Sequence, residues 1–477
     1  MSETPHRPAR AAFTEGSVMR HVVVMTATGS VGLMAIFVVD VVNLFYISLL
    51  GHEELAAAIG YAGTLLFFLM SVSIGLSIGV TAKVSRSLGS GDRVSARRQA
   101  TAGSVISFLA LGAATAVVMP FQTTLLAVMG AEGRTLQIAH EYLLIVMPAN
   151  GLLAVGMALS GVLRATGDAR RSMYVTLTGA IATAVLDPVF IFAFDLGVTG
   201  AAIVTVISRV VIAAVGLHGA GVVHGLLERP SARGVRVEAR PLFAIAFPAI
   251  LTNLATPVGN AYVTAAIAGY GVEAVAAWAV IGRLFPLAFG GIFALSGAVG
   301  GIFGQNLGAA RYDRVEQTLK DSLTFTMLYV LGVWLVLAVA SGPIADVFQA
   351  SGEARDLIRF FCFFVAPTFI FTGALFVANA AFNNLGFPTY STLFNWGRST
   401  LGVIPFCYFG AKLAGAEGVL IGWGVGSIPF GVGAVLIAFR SVRRIAASKE
   451  NPGPPPDPAI NRPEVPAFTS GKGGTVV

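Results

Sequence analysis

Long apolar runs, broken at short intervals by clusters of basic and small residues, fill the chain from about residue 19 to residue 443. A helix that crosses a bilayer needs about 20 mostly apolar residues. Read between charged residues and Gly/Pro breaks, the pattern predicts twelve such helices, at 19–50, 54–83, 94–120, 134–165, 169–194, 197–224, 240–269, 272–304, 314–341, 354–384, 389–412 and 415–443. The expected fold is an all-α polytopic membrane protein.

The basic residues orient it. Arg7, Arg10 and Arg20 precede the first span, and Lys83, Arg86, Arg93, Arg97 and Arg98 fill the second connection. Arg164, Arg170 and Arg171 follow in the fourth, Arg229, Arg233, Arg236 and Arg240 in the sixth, and Arg311, Arg314 and Lys320 in the eighth. Arg440, Arg443, Arg444 and Lys449 come after the last span. The odd connections carry little more than Arg134, Arg355, Arg359 and Lys412. Basic residues stay on the cytoplasmic side of a membrane, so both termini are expected there. The expected layout is a cytoplasmic segment at 1–18, a six-helix lobe at 19–224, a linker at 225–239, a second six-helix lobe at 240–445 and a disordered Pro/Gly-rich tail at 446–477.

Composition changes little in this picture. Charged residues are 12% of the chain, against about 25% in soluble proteins. The 56 glycines suit close helix contacts in lipid. The net charge of +7 belongs to loops near anionic headgroups and calls for no nucleic-acid partner. Residues 1–18 lack the apolar core of a signal peptide. Cys362 and Cys407 lie in apolar runs and read as packing residues.

Two carboxylates stand alone inside apolar runs: Asp40 in AIFVVDVVNLF and Asp187 in AIATAVLDPVFIF. An acid at a helix centre costs roughly 2.5–3.5 kcal/mol on insertion scales, which marks both as candidates for ion or proton handling. A competing reading makes Asp187 the N-cap of a helix with Pro188 at its first position.

The halves are duplicates. GHEELAAAI at Gly51 matches GVEAVAAWA at Gly271, LGSGDRV at Leu88 matches LGAARYDRV at Leu307, and LGVTGAA at Leu196 matches AGAEGVL at Ala414. Six spans per copy is an even number, so the repeat is parallel, with substrate expected between the halves. In this alignment Asp40 falls opposite Asn260 and Asp187 opposite Ile404. Neither acid is repeated, which argues against a role in holding the shared fold.

Three segments carry a family resemblance: GQNLGAARYDRV from Gly304, LRATGDARRSMYVTLTGAIATAVLDPVFIF from Leu163, and VVDVVNLFYISLLGHEELAAAIG from Val38. Together they resemble the multidrug and toxic compound extrusion (MATE) family over roughly residues 15–445, on its DinF-like branch. The resemblance implies two pseudo-symmetric six-helix lobes around a central cleft. It also implies export of cationic, amphiphilic small molecules in exchange for protons or sodium. Asp40 and Asp187 match the branch's cation-coupling acids, with Tyr142 and Thr205 as polar neighbours. Ser160 and Thr183 stand where that cluster usually has Asn. Arg283, Asn260, Met34 and Met173 are candidate substrate or gating residues. A monomer in the bacterial inner membrane is expected, with no cofactor, no metal and no enzymatic activity. The alternative is a lipid or lipid-linked oligosaccharide flippase of a related superfamily. The acidic N-lobe charge weighs against it, since a pyrophosphate headgroup calls for a cationic cleft.

Overall fold

The computed structural model describes residues 11–48 and 53–450. Most of the expected N-terminal segment (1–10) and most of the expected tail (451–477) lie outside the described residues. Among those described, all regular structure is helical.

Ten runs follow in order: α1 Val18–Ser48, α2 Glu53–Gly89, then α3 Arg93–Val128, α4 Gly133–Thr166, α5 Ala169–Ala193, α6 Gly197–Val223, α7 Ala232–Ala268, α8 Val272–Gly308, α9 Tyr312–Val347 and α10 Gly352–Leu385. The remaining run, Pro388–Ala447, is 60 residues long, too long for one crossing. Its backbone breaks at Ala414 and at Gly415, where φ is 58°. The two arms, α11 (388–413) and α12 (416–447), fold back on each other. Gly410 lies on Gly418, Phe406 on Gly422 and Gly402 on Gly426, so contacts climb one arm as they descend the other. A Cβ at Gly410 or Gly418 would overlap the opposite backbone. The twelve expected crossings are therefore present.

Capping explains where several helices begin. Asp92 accepts from the Ser95 N–H, Asp168 from Arg171 N–H and Ser231 from Gly234 N–H, each satisfying a donor that a helix start leaves open. The last of these starts α7 within the stretch expected as linker. Its first turns carry Arg233 and Arg236, so hydropathy alone does not reveal them.

The runs form two lobes, α1–α6 and α7–α12. In the first lobe α1 packs on α5, and α2 on α3 and α4. In the second, α8 packs on α10, and α10 on α12. Phe285, Phe289, Phe293, Phe369 and Phe376 interlock in the second core, with the Phe289 and Phe369 centroids 4.3 Å apart. Val336 and Val339 of α9 stand exposed, as apolar side chains do where a helix meets lipid.

The lobes meet through α1 and α2 against α7, α8 and α9. The named contacts lie toward the face that carries the basic connections. Gly89 of α2 rests on the Gln305 backbone, Gly308 of α8 on the Arg86 carbonyl, and Gly304 on Ser85. Glu238 of α7, buried, pairs with Lys83 at 2.6 Å and Arg98 at 2.9 Å. Phe13 seals the same end. Its ring is buried against Gly167 and Gly301. Its N–H donates to Gln305 Oε1 at 2.9 Å, and its carbonyl accepts from Arg314 at 2.8 Å. On the opposite face, Asp40 of α1, Asn260 of α7 and Arg283 of α8 are all exposed. The cleft is thus closed at the basic face and open at the other.

Candidate functional site

Depth along each helix follows from a rise of about 1.5 Å per residue. Counted from the open face, Asp40, Asp187, Tyr142, Thr183 and Thr205 all fall within about 9–15 Å of their helix ends. Four helices, α1, α4, α5 and α6, deliver them to one level of the N lobe.

Asp187 is buried, 1% exposed. Its Oδ2 accepts from Asn43 Nδ2 of α1 at 2.9 Å, while Oδ1 has no partner. Asp187 is not a helix cap: α5 continues through it and Pro188 into a π turn at Val189–Ala193. The widened turn accommodates a proline that has no N–H to give and crowds the preceding turn. Such π turns recur at functional sites.

Asp40 sits three residues before Asn43, mid-helix and exposed to the cleft. No ion pair reaches it among the described residues. The Tyr142 hydroxyl lies 3.3 Å from Thr205 Oγ1 and within electrostatic reach of Arg209, Asp187 and Asp40. Arg209 is buried and donates to the Val146 carbonyl. Thr183 and Thr205 each also bond back to their own helix, at Gly179 and Ala201. The cluster offers two carboxylates, a phenol and hydroxyls around one wall of the cleft. Such a donor set suits a proton or a hard monovalent cation.

Ser160 is placed elsewhere. It lies eighteen residues along α4 from Tyr142, about 27 Å, and near the basic face. There it bonds Ser172 Oγ at 3.0 Å and accepts from Arg164 at 2.9 Å. Met173 is also near that face, its carbonyl packed against Gly32. Met34 lies above the seam, its Sδ against Gly290. Asn260 and Arg283 face the opening from the second lobe, Asn260 at about the depth of Asp40.

Asn43 was not singled out from the sequence. The available signal was its spacing: three residues after Asp40, nearly one helical turn, it shares that residue's side of the helix. The seam residues Gln305, Asn306 and Gly304 were visible only as a motif. The structure gives the motif its physical content, since Gln305 ties Phe13 to Ala165 and Asn306 accepts from Arg314.

Comparison with known proteins agrees with this architecture. The MatE family model matches residues 30–189 and again 248–409, one copy per lobe. The chain belongs to the MatE family. A FAD transporter from Shewanella oneidensis is 28% identical over 430 residues, 89% of this chain and 95% of the relative. The multidrug export protein MepA of Staphylococcus haemolyticus is 24% identical over 414 residues, covering 86% and 90%. Among solved structures, a mutant of the Vibrio cholerae MATE transporter VcmN superposes with a TM-score of 0.85 at 25% identity, covering 90% of this chain and 97% of that one. An outward-facing multidrug resistance MATE transporter gives 0.84 at 21% identity, over 92% and 98%, a likeness of fold. This MatE chain is a multi-pass membrane transporter of two six-helix lobes.

Proposed function

We propose that this protein is a secondary antiporter that exports amphiphilic small molecules, organic cations among them, from the cytoplasm by alternating access. Protons drive it, with sodium as the other candidate ion. It works as a monomer in the inner membrane, with both termini and the basic face cytoplasmic. The carrying observation is the placement of Asp40 and Asp187. Two unrepeated acids sit at one level of the N lobe, one exposed to the cleft and one buried, with Asn43 on the linking helix. A cation entering from the cytoplasm would be drawn to the free Asp40 carboxylate. Proton uptake from outside would neutralise it and release the cargo. The DinF-like branch assignment rests on the same two acids.

The Shewanella relative favours a second reading. A FAD-like substrate is anionic, and Arg283 gives the cleft a cation on its second wall. A lipid-linked oligosaccharide flippase is the weaker alternative, because the N-lobe wall is acidic.

Substrate class is tested in cells that express the native chain. Ethidium efflux should rise over vector-only cells, while secreted flavin stays level. A rise in secreted flavin without ethidium efflux would replace the cationic reading with the dinucleotide one. Neither rise would contradict both.

A further inference from the structure

Helices α1 and α8 cross the cleft wall antiparallel, and their register can be read from two contacts. Gly29 faces the Ala294 side chain, and Met34 Sδ lies over Gly290. From that seam both helices continue toward the open face. Asp40 is eleven residues on from Gly29, and Arg283 is eleven residues back from Ala294. Eleven residues are three turns with an angular drift of about 20° and a rise of about 16 Å. Asp40 and Arg283 therefore project from the same sides of their helices as the contacting pair, at the same depth, one from each lobe. Both are exposed, and no ion pair joins them among the described residues.

We propose that Arg283 is the counter-charge of Asp40: when the lobes close over this face, guanidinium and carboxylate meet as an interlobe ion pair. The neighbouring ionisable side chains each hold at least one hydrogen bond already, with Asp187 Oδ1 and Arg398 Nε left over. Asp187 accepts from Asn43, and Arg209 is held by the Val146 carbonyl. Arg398 of α11 is buried and spends its Nη2 on Thr256 and Ser399 within its own lobe. Tyr142 is taken by Thr205. An opposite charge at matched depth gives the empty transporter a reason to close, because a charge facing an apolar wall unpaired is costly. A cation bound at Asp40 cancels the attraction and leaves the cleft open. Arg283 thereby acts through Asp40 as a positioning residue. The proposal rests on the alternating-access reading above.

The test uses the full chain in lipid nanodiscs without substrate, with Cys362→Ala and Cys407→Ala. Spin labels go on the exposed Val128 and Val272, at the open-face ends of α3 and α8. Electron–electron distance measurement should give a long and a short population for the parent. Arg283→Gln should lose at least about nine-tenths of the short one, and Arg283→Lys, which keeps a point charge, should retain it. An unchanged short population in Arg283→Gln, or its absence from the parent, overturns the proposal. Efflux by the native chain is a separate readout, so failure of the ion pair and failure of antiport are told apart.

Discussion

Asp187 has one oxygen satisfied by Asn43 and one without a partner. A buried acceptor left unpaired costs free energy, so this state is retained at some expense. Asn43→Leu should remove the satisfied half as well. The expected cost is about 1–2 kcal/mol, given the modest worth of interhelical hydrogen bonds in membranes. It would be read as a lower melting temperature of purified protein, and an unchanged melting temperature would show that the bond carries little. Outside the membrane, Asp168 invites a pH test. Burial by itself raises its carboxyl. Hydrogen bonds from His224 and Arg171 outweigh that and hold it well below the usual carboxylate range. A depressed folded value means the stability it contributes is present above the unfolded pKa of about 3.9 and lost as pH falls below it. Native protein should therefore keep a flat melting temperature between about pH 5 and 8 as far as this residue is concerned. Asp168→Asn should lower it throughout that range, because the bonds from Arg171 persist across it. A decrement that vanishes at pH 8 would contradict the assignment.

Among the helices, legibility followed chemistry. A bilayer demands long apolar runs, so all twelve crossings could be read from hydropathy, including the break between α11 and α12 at Ala414–Gly415. The basic start of α7 could not, because its apolar signal begins a turn or two later. The polar cluster was legible as far as helix phase and depth allow. Tyr142, Thr183, Thr205 and both acids share a level. Ser160 does not, since eighteen residues of helix separate it from Tyr142. The α11–α12 hairpin depends on glycine along its whole contact line. Gly418→Val would drive a side chain into the Gly410 backbone. Overpacking of this kind costs typically about 1–3 kcal/mol or more. Expression of properly folded protein should fall sharply in both Gly418→Val and Gly418→Ala, because a Cβ alone already overlaps the Gly410 backbone. Native yields from both would mean the helices can separate freely.

For the whole molecule, the seal at the basic face spans both lobes. Phe13 touches Gly167 on one side and Gln305, Gly301 and Arg314 on the other. The Glu238 pairs with Lys83 and Arg98 tie α7 to α2 and α3. An exchange of access must undo these contacts. A cysteine at Thr81, which is buried, should resist a membrane-impermeant maleimide added from the basic face. Phe13→Ala should raise the labelling rate about tenfold, equivalent to roughly 1.4 kcal/mol of lost closure. No change in rate would place the seal elsewhere.

The claim on which the rest depends is that Asp40 and Asp187 couple ion movement to export. Purified native chain, Asp40→Asn and Asp187→Asn in proteoliposomes, given an imposed proton gradient and then a sodium gradient of equal size, test it most directly. Substrate flux driven by one of the two gradients in the native chain, and reduced at least about tenfold in both variants, is the expected result. Gradient-driven flux in either variant that equals the native rate would contradict it.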